Sequence, residues 1–266
     1  MAAAANNLTP VTLELGGKSP AVVCPDYPIE QAARSIALGK FLNAGQTCVA
    51  PDYALVPSPR VEIFAAAIMT AAREFYPTIG ANADYTALIS ERHRQRIAIA
   101  IQEAESLGAK IFRHEDNVEG TRKIGPTVVV NAPKDCLLMR EEIFGPVLPI
   151  VGYDDLESAI GFINAKDRPL ALYCYSKDEA LRERVLDGAT SGGVTLNGAL
   201  IHSVQDNLPF GGVGPSGMGA YHGEEGFRRF SHARGVHKVG PINVFERLGP
   251  PWGRLARLTA NFLMRR

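Results

Sequence analysis

The sequence predicts an α/β protein: a largely parallel sheet with helices on both faces. Two observations carry that expectation. Segments of strand length alternate with segments whose apolar residues recur at helical spacing, from Ala21 to Leu196. Several strand candidates, such as AVVC ending at Cys24 and the ALYCYS run around Cys174, are nearly continuous apolar runs, as strands buried on both faces require.

The elements follow in chain order. MAAAANNLTP reads as the end of a helix, and Val11–Leu15 and Ala21–Cys24 as short strands. Ile29, Ala32, Ala33, Ile36, Ala37 and Phe41 recur at helical spacing and predict a helix over Ile29–Leu42. Tyr53–Val56 is strand-like, and Pro57 and Pro59 precede a helix over Val61–Phe75. Glu91–Leu107 is a long amphipathic helix capped by Gly108. Lys110–Phe112, Thr127–Val130 and Val147–Tyr153 are strands. Helices over Leu156–Ala165 and Asp178–Leu186 then alternate with strands Ala171–Tyr175 and Gly193–Leu196. After Asn197 the rhythm breaks. Pro209–Gly219 is a glycine-rich loop, Val236–Val239 a late strand, and WGRLARLTANFLMRR a basic, weakly amphipathic tail. That tail is expected to form a surface or partner-facing helix, touching a membrane weakly and reversibly at most.

Composition narrows the function. Twenty-eight basic residues balance 28 acidic ones, so there is no basic excess to release counterions from phosphates, which argues against nucleic acid as a partner. Cys24, Cys48, Cys136 and Cys174 are far apart, with no C-x-x-C pair and no histidine cluster, so no metal site and no disulfide framework are expected. Reduced thiols suit a cytoplasmic setting. No leader peptide is expected from MAAAANNLTP, which has neither a basic n-region nor an apolar h-region. No apolar run approaches the roughly 18 residues that span a bilayer.

Four segments carry possible chemistry. In LNAGQTCVAPDY, Cys48 sits in a polar, glycine-containing turn, whereas Cys24 and Cys174 lie in apolar runs. Taken alone it is either an inert thiol or a nucleophile assisted by a base. In TLELGGKSP, Glu14 is either a surface acid at a strand end or a carboxylate base, followed by two glycines that allow close approach. REEIFGPVLPIV presents Glu142 and Phe144 together, either closing a loop on the core or offering a carboxylate and a ring to a polar ligand. PFGGVGPSGMGAYHG contains a formal G-x-G-x-x-G match, but Pro215 lies inside it and no clean strand precedes it, so it is not a dinucleotide fingerprint. His202 and His222 flank this loop.

Together these segments resemble the aldehyde dehydrogenase superfamily, most of all its class 3-type branch of fatty, aromatic and coniferyl aldehyde dehydrogenases. The resemblance runs over residues 8–240 in the family's order, with 34 residues from Glu14 to Cys48. It implies Cys48 as nucleophile and Glu14 as general base. It implies Leu15, Gly16, Glu142 and Phe144 around the nicotinamide end of NAD or NADP, and His202, Leu208 and Phe210 on the aldehyde pocket. The family's chains are nearly twice as long, so the expected segments are a cofactor-domain remnant (1–15), a catalytic domain (16–208) and a loop, oligomerisation strand and tail (209–266). A homodimer oxidising an aromatic or medium-chain aldehyde is the implied function. The alternatives are a fragment without dehydrogenase activity of its own, keeping an esterase activity, and an interaction module.

Overall fold

The computed structural model describes residues 1–116 and 118–265. It divides into two compact units, Met1–Phe230 and Ser231–Arg266.

In the first unit, α1 (Ala2–Ala5) leads into β1 (Leu13–Glu14) and β2 (Pro20–Val23), then α2 (Ile29–Phe41), β3 (Tyr53–Pro57) and α3 (Val61–Phe75). Next come α4 (Glu91–Ser106), β4 (Lys110–Arg113), β5 (Thr127–Val130), α5 (Leu137–Arg140) and β6 (Val147–Tyr153). The remainder is α6 (Leu156–Asn164), β7 (Ala171–Tyr175), α7 (Glu179–Gly188), β8 (Gly193–Leu196), β9 (Gly217–Met218) and α8 (Gly223–Arg229). Seven strands form one sheet in the order β4-β5-β6-β3-β2-β7-β8, parallel except for β4, which runs antiparallel to β5.

The two-residue period of the strands sorts the core onto two faces. Val22, Leu55, Val129 and Leu172 point to the side covered by α4, α6 and α7, where Ile97, Ile101, Ala159, Ile160 and Val185 are buried. Ala21, Val23, Ala54, Val56 and Tyr173 point to the side of α2 and α3, where Ile36, Phe41, Phe64 and Ile68 are buried. The helical spacing read in Ile29–Phe41 is the face that α2 buries. Helices therefore lie on both faces of a mostly parallel sheet, as expected.

Two expectations are corrected. The strand expected over Val11–Leu15 is paired only at Leu13–Glu14, and it belongs to a separate antiparallel ladder with β9, inside the segment expected to be all loop. The late strand expected over Val236–Val239 does not form: these residues are exposed and have no ladder partner, and a strand exists only through the neighbour that takes up its N–H and C=O groups.

The second unit holds α9 (Val244–Leu248), whose first turn is capped by the Asn243 side chain, and α10 (Arg254–Leu263). None of its described residues is buried.

Candidate active site

The site begins where α2 stops. After Phe41 the chain makes a tight turn in which Asn43 and Ala44 both take a positive φ of 51°. Such values are strained for residues with a Cβ and mark a turn held by its surroundings. Gly45 follows with φ 73°, and a Cβ there would lie 2.2 Å from the carbonyl oxygen of Gly145. Only glycine lets this turn seat against the Phe144–Gly145 segment. Gln46 ties the turn to a third segment: its amide donates to the Ala87 carbonyl at 3.2 Å, and its side-chain oxygen accepts from Ile89 N–H at 2.9 Å.

Cys48 follows, half-buried, in the turn that precedes β3. Glu14, Leu15, Gly16, Gln46, Thr47, Cys48, Glu142 and Phe144 line one open cleft of about 490 Å³. The fold thus gathers three sequence segments: β1 and its following glycines, the cysteine turn, and the loop before β6. The Glu14 carboxylate accepts from Gly16 N–H at 3.0 Å, which orients it. It shares the cleft with the Cys48 thiol. Burial, with the negative charges of Glu14 and Glu142, pushes the Cys48 thiol up to about 11.

Glu142 lies across from Gly16, where a Cβ would stand 2.6 Å from its carboxylate. Burial and the nearby Asp52 charge push Glu142 up to about 7, against the pull of the Gly17 N–H and Lys40. Phe144 takes a positive φ of 50°, and its ring stands at the cleft rim. His93 on α4 steadies it, with Nε2 2.7 Å from the Phe144 carbonyl oxygen.

Sequence reasoning missed the frame beneath this cleft. Asp52 accepts from Ile143 N–H at 3.0 Å and pairs with Lys18. Lys18 also donates to the carbonyls of Leu138 at 2.8 Å and Glu141 at 3.0 Å. Lys40 is fully buried 3.8 Å from Asp52, its ammonium without a hydrogen-bond partner among the described residues, and burial lowers it to about 8. Arg96 on α4 closes the ring by donating to the carbonyls of Glu142 and Ile143. The available signal was charge inside otherwise apolar or turn segments: the lysine of GGKSP, the lysine of LGKF and the aspartate of APDY.

The three residues expected on the aldehyde pocket are not among those lining the Cys48 cleft. His202 is buried against Gly193, its Nδ1 2.7 Å from Thr195 Oγ1. Phe210 is buried between the His202 and His222 rings, and Leu208 is exposed. A second cavity, of about 570 Å³ and strongly apolar, shares Thr47 with that cleft; its walls include Leu38, Leu42, Val49, Leu200, Ile201 and Val204. Among the described residues no group of His, Cys, Asp and Glu is arranged to hold a metal ion.

A half-buried thiol and a carboxylate thus share one cleft with a second acid and an exposed ring, on an α/β scaffold. Residues 1–236 match the aldehyde dehydrogenase family model, and the chain belongs to that family. It is 50% identical over 255 residues to a probable coniferyl aldehyde dehydrogenase of Pseudomonas aeruginosa, covering 96% of this chain and 53% of that protein. It superposes with a TM-score of 0.87 on the substrate-bound state of Staphylococcus aureus AldH, at 39% identity, covering 98% of this chain and 57% of the other. Staphylococcus aureus betaine aldehyde dehydrogenase in complex with NAD+ superposes at 0.76 and 30% identity, covering 85% and 46%. The chain spans about half the length of the relatives it matches.

Proposed function

We propose that the chain carries the catalytic half of a nicotinamide-dependent aldehyde dehydrogenase, with Cys48 as nucleophile and Glu14 as base. The observation that carries this reading is the shared cleft of Cys48, Glu14, Glu142 and Phe144.

Cys48 holds its proton at neutral pH, and in this reading Glu14, in the same cleft, accepts it as the sulfur attacks the aldehyde carbon. The C–S bond forms, and the carbonyl π pair moves onto oxygen. In this reading the Cys48 backbone N–H is a donor to that oxyanion. A bound nicotinamide dinucleotide supplies the acceptor for the hydride that leaves the tetrahedral carbon. The acyl group then rests on Sγ as a thioester. Glu14 releases the first proton to solvent and takes another from water; the water attacks the acyl carbon, the tetrahedral adduct collapses, and Cys48 departs as thiol with the proton returned by Glu14.

The residues present suit the nicotinamide end of such a cofactor. Glu142 offers a carboxylate to ribose hydroxyls, Phe144 a ring face, and the Cβ-free Gly16 the space between. The apolar cavity beside Thr47 favours an aromatic aldehyde of the coniferyl type, or a medium-chain aliphatic one, over a small polar one. The homodimer and cytoplasmic setting belong to the same reading.

The test is turnover. Reduced-cofactor formation from an aromatic aldehyde with NAD+ or NADP+, abolished by Cys48→Ala, is the expected result. A second reading follows from the chain's coverage of half its relatives: ester cleavage that needs Cys48 but no cofactor. Loss of neither activity on Cys48→Ala would sink both.

A further inference from the structure

We infer that His93 and Arg96 are positioning residues for the cofactor. From one face of α4 they hold the Glu142–Phe144 backbone so that its carboxylate and its ring meet the nicotinamide end. The inference rests on the function proposed above and adds what aims those two side chains. Neither His93 nor Arg96 lines the Cys48 cleft itself.

The loop between α5 and β6 alternates in and out. Ile143 and Gly145 are buried, while Glu142 and Phe144 turn toward the cleft. The carbonyls of this loop are taken up by side chains. Lys18 donates to Glu141 at 3.0 Å, and Arg96 Nη2 donates to Glu142 at 3.2 Å and also to Ile143. His93 Nε2 lies 2.7 Å from the Phe144 oxygen. A carbonyl can only accept, so that imidazole nitrogen carries the proton. Four consecutive carbonyls thus accept from side chains, three of them from α4.

His93, Arg96 and Ile97 are spaced i, i+3 and i+4, so they share one face of the helix. Ile97 packs on the same loop so closely that a Cβ on Gly145 would lie 2.2 Å from its Cδ1. The hold matters most at Phe144, whose φ of 50° is a left-handed value that a residue with a ring keeps only where its surroundings fix it. The same end of α4 is tied to the cysteine turn. Ile89, whose N–H donates to the Gln46 side chain, directly precedes Ser90, the cap of α4. One helix end therefore sets the spacing between the turn that carries the thiol and the side chains that face the nicotinamide. A loop released from this hold presents Glu142 and Phe144 correctly for only a fraction of the time, and apparent cofactor affinity falls with that fraction.

The experiment is steady-state kinetics of the 266-residue chain with an aromatic aldehyde and NAD+ or NADP+. His93→Phe keeps a ring of similar size and removes the donor. His93→Gln removes the ring and keeps a donor of similar reach. The KM for the dinucleotide should rise about tenfold in His93→Phe and in Arg96→Met, with the KM for the aldehyde unchanged. His93→Gln should return to within about twofold of the parent. A merely structural role would lower the amount of active protein and leave KM where it is. An unchanged dinucleotide KM in both donor-free variants therefore overturns the inference. So does His93→Gln behaving as His93→Phe does, since the N–H would then not be the group at work. Hydrogen–deuterium exchange over residues 141–146, with no cofactor present, is read in parallel. Faster exchange in the donor-free variants is expected, and parent-rate exchange in both overturns the inference whatever the kinetics. A parent chain that forms no reduced cofactor sinks the function proposed above, and the exchange then decides the hold on the loop by itself.

Discussion

Cys48 is a thiol at neutral pH, and pH controls how readily it reacts with an electrophile. Its displacement from 9.0 to about 11 leaves roughly a hundredfold less thiolate at pH 8 than an ordinary cysteine has. Alkylation by iodoacetamide should therefore climb about tenfold per pH unit through pH 9 and beyond. A plateau below pH 9 would contradict the environment described. Glu14→Gln removes one negative charge and leaves burial, the larger cause, in place. The expected gain in alkylation rate at pH 8 is severalfold, trimmed by the lower nucleophilicity of a less basic sulfur. Aldehyde turnover in the same variant should fall, because the group that takes up protons is gone. Glu142 gives a stability prediction of definite sign. Its folded pKa of about 7 exceeds the ordinary 4.5, so the fold prefers the protonated acid. Its contribution is fully present below 4.5 and is lost as pH rises through 7. Partial exposure trims the effect to about 2 kcal/mol. Urea unfolding across this range should show Glu142→Gln without that decline.

At the scale of elements, the turn after α2 and the loop before β6 behave as one object. Gly45→Ala forces a Cβ to within 2.2 Å of the Gly145 carbonyl oxygen at a positive φ. A loss of about 2–4 kcal/mol in denaturant unfolding is expected. A change below about 0.5 kcal/mol, the range of ordinary surface substitutions, would mean that the two segments move apart freely. The helix α2 itself brings Lys40 beneath the cleft. Because burial lowers that lysine from 10.5 to about 8, the unfolded chain binds the extra proton between those values, and stability rises with pH there. The difference between parent and Lys40→Met, followed from pH 7.5 to 10.5, should grow in the parent's favour as pH rises. A constant difference would place the ammonium in contact with water.

At the scale of the molecule, the two buried cores both belong to Met1–Phe230, while Ser231–Arg266 buries none of its described residues. A chain ending at Phe230 should keep its thermal midpoint within about 3 °C of the parent. A larger drop would show that the second unit supports the first.

What the sequence determined by itself is everything carried by local periodicity and by motif. The spacing of Ile29, Ala32, Ile36 and Phe41 marked α2 and its buried face, because a helix repeats within a few residues. Glycine and polar residues around Cys48 marked a turn, because backbone conformation is a local property. The resemblance then placed Glu14, Glu142 and Phe144 beside Cys48, positions that no short-range signal joins. Tertiary structure decided the rest. It paired β1 with β9, more than 200 residues away, and left Val236–Val239 without a ladder. It put Lys18, Lys40 and Asp52 under the cleft and drew His202 and Phe210 into packing that leaves them off its lining. Pairing partners and burial depend on which distant segments meet, and spacing along one chain does not encode that meeting.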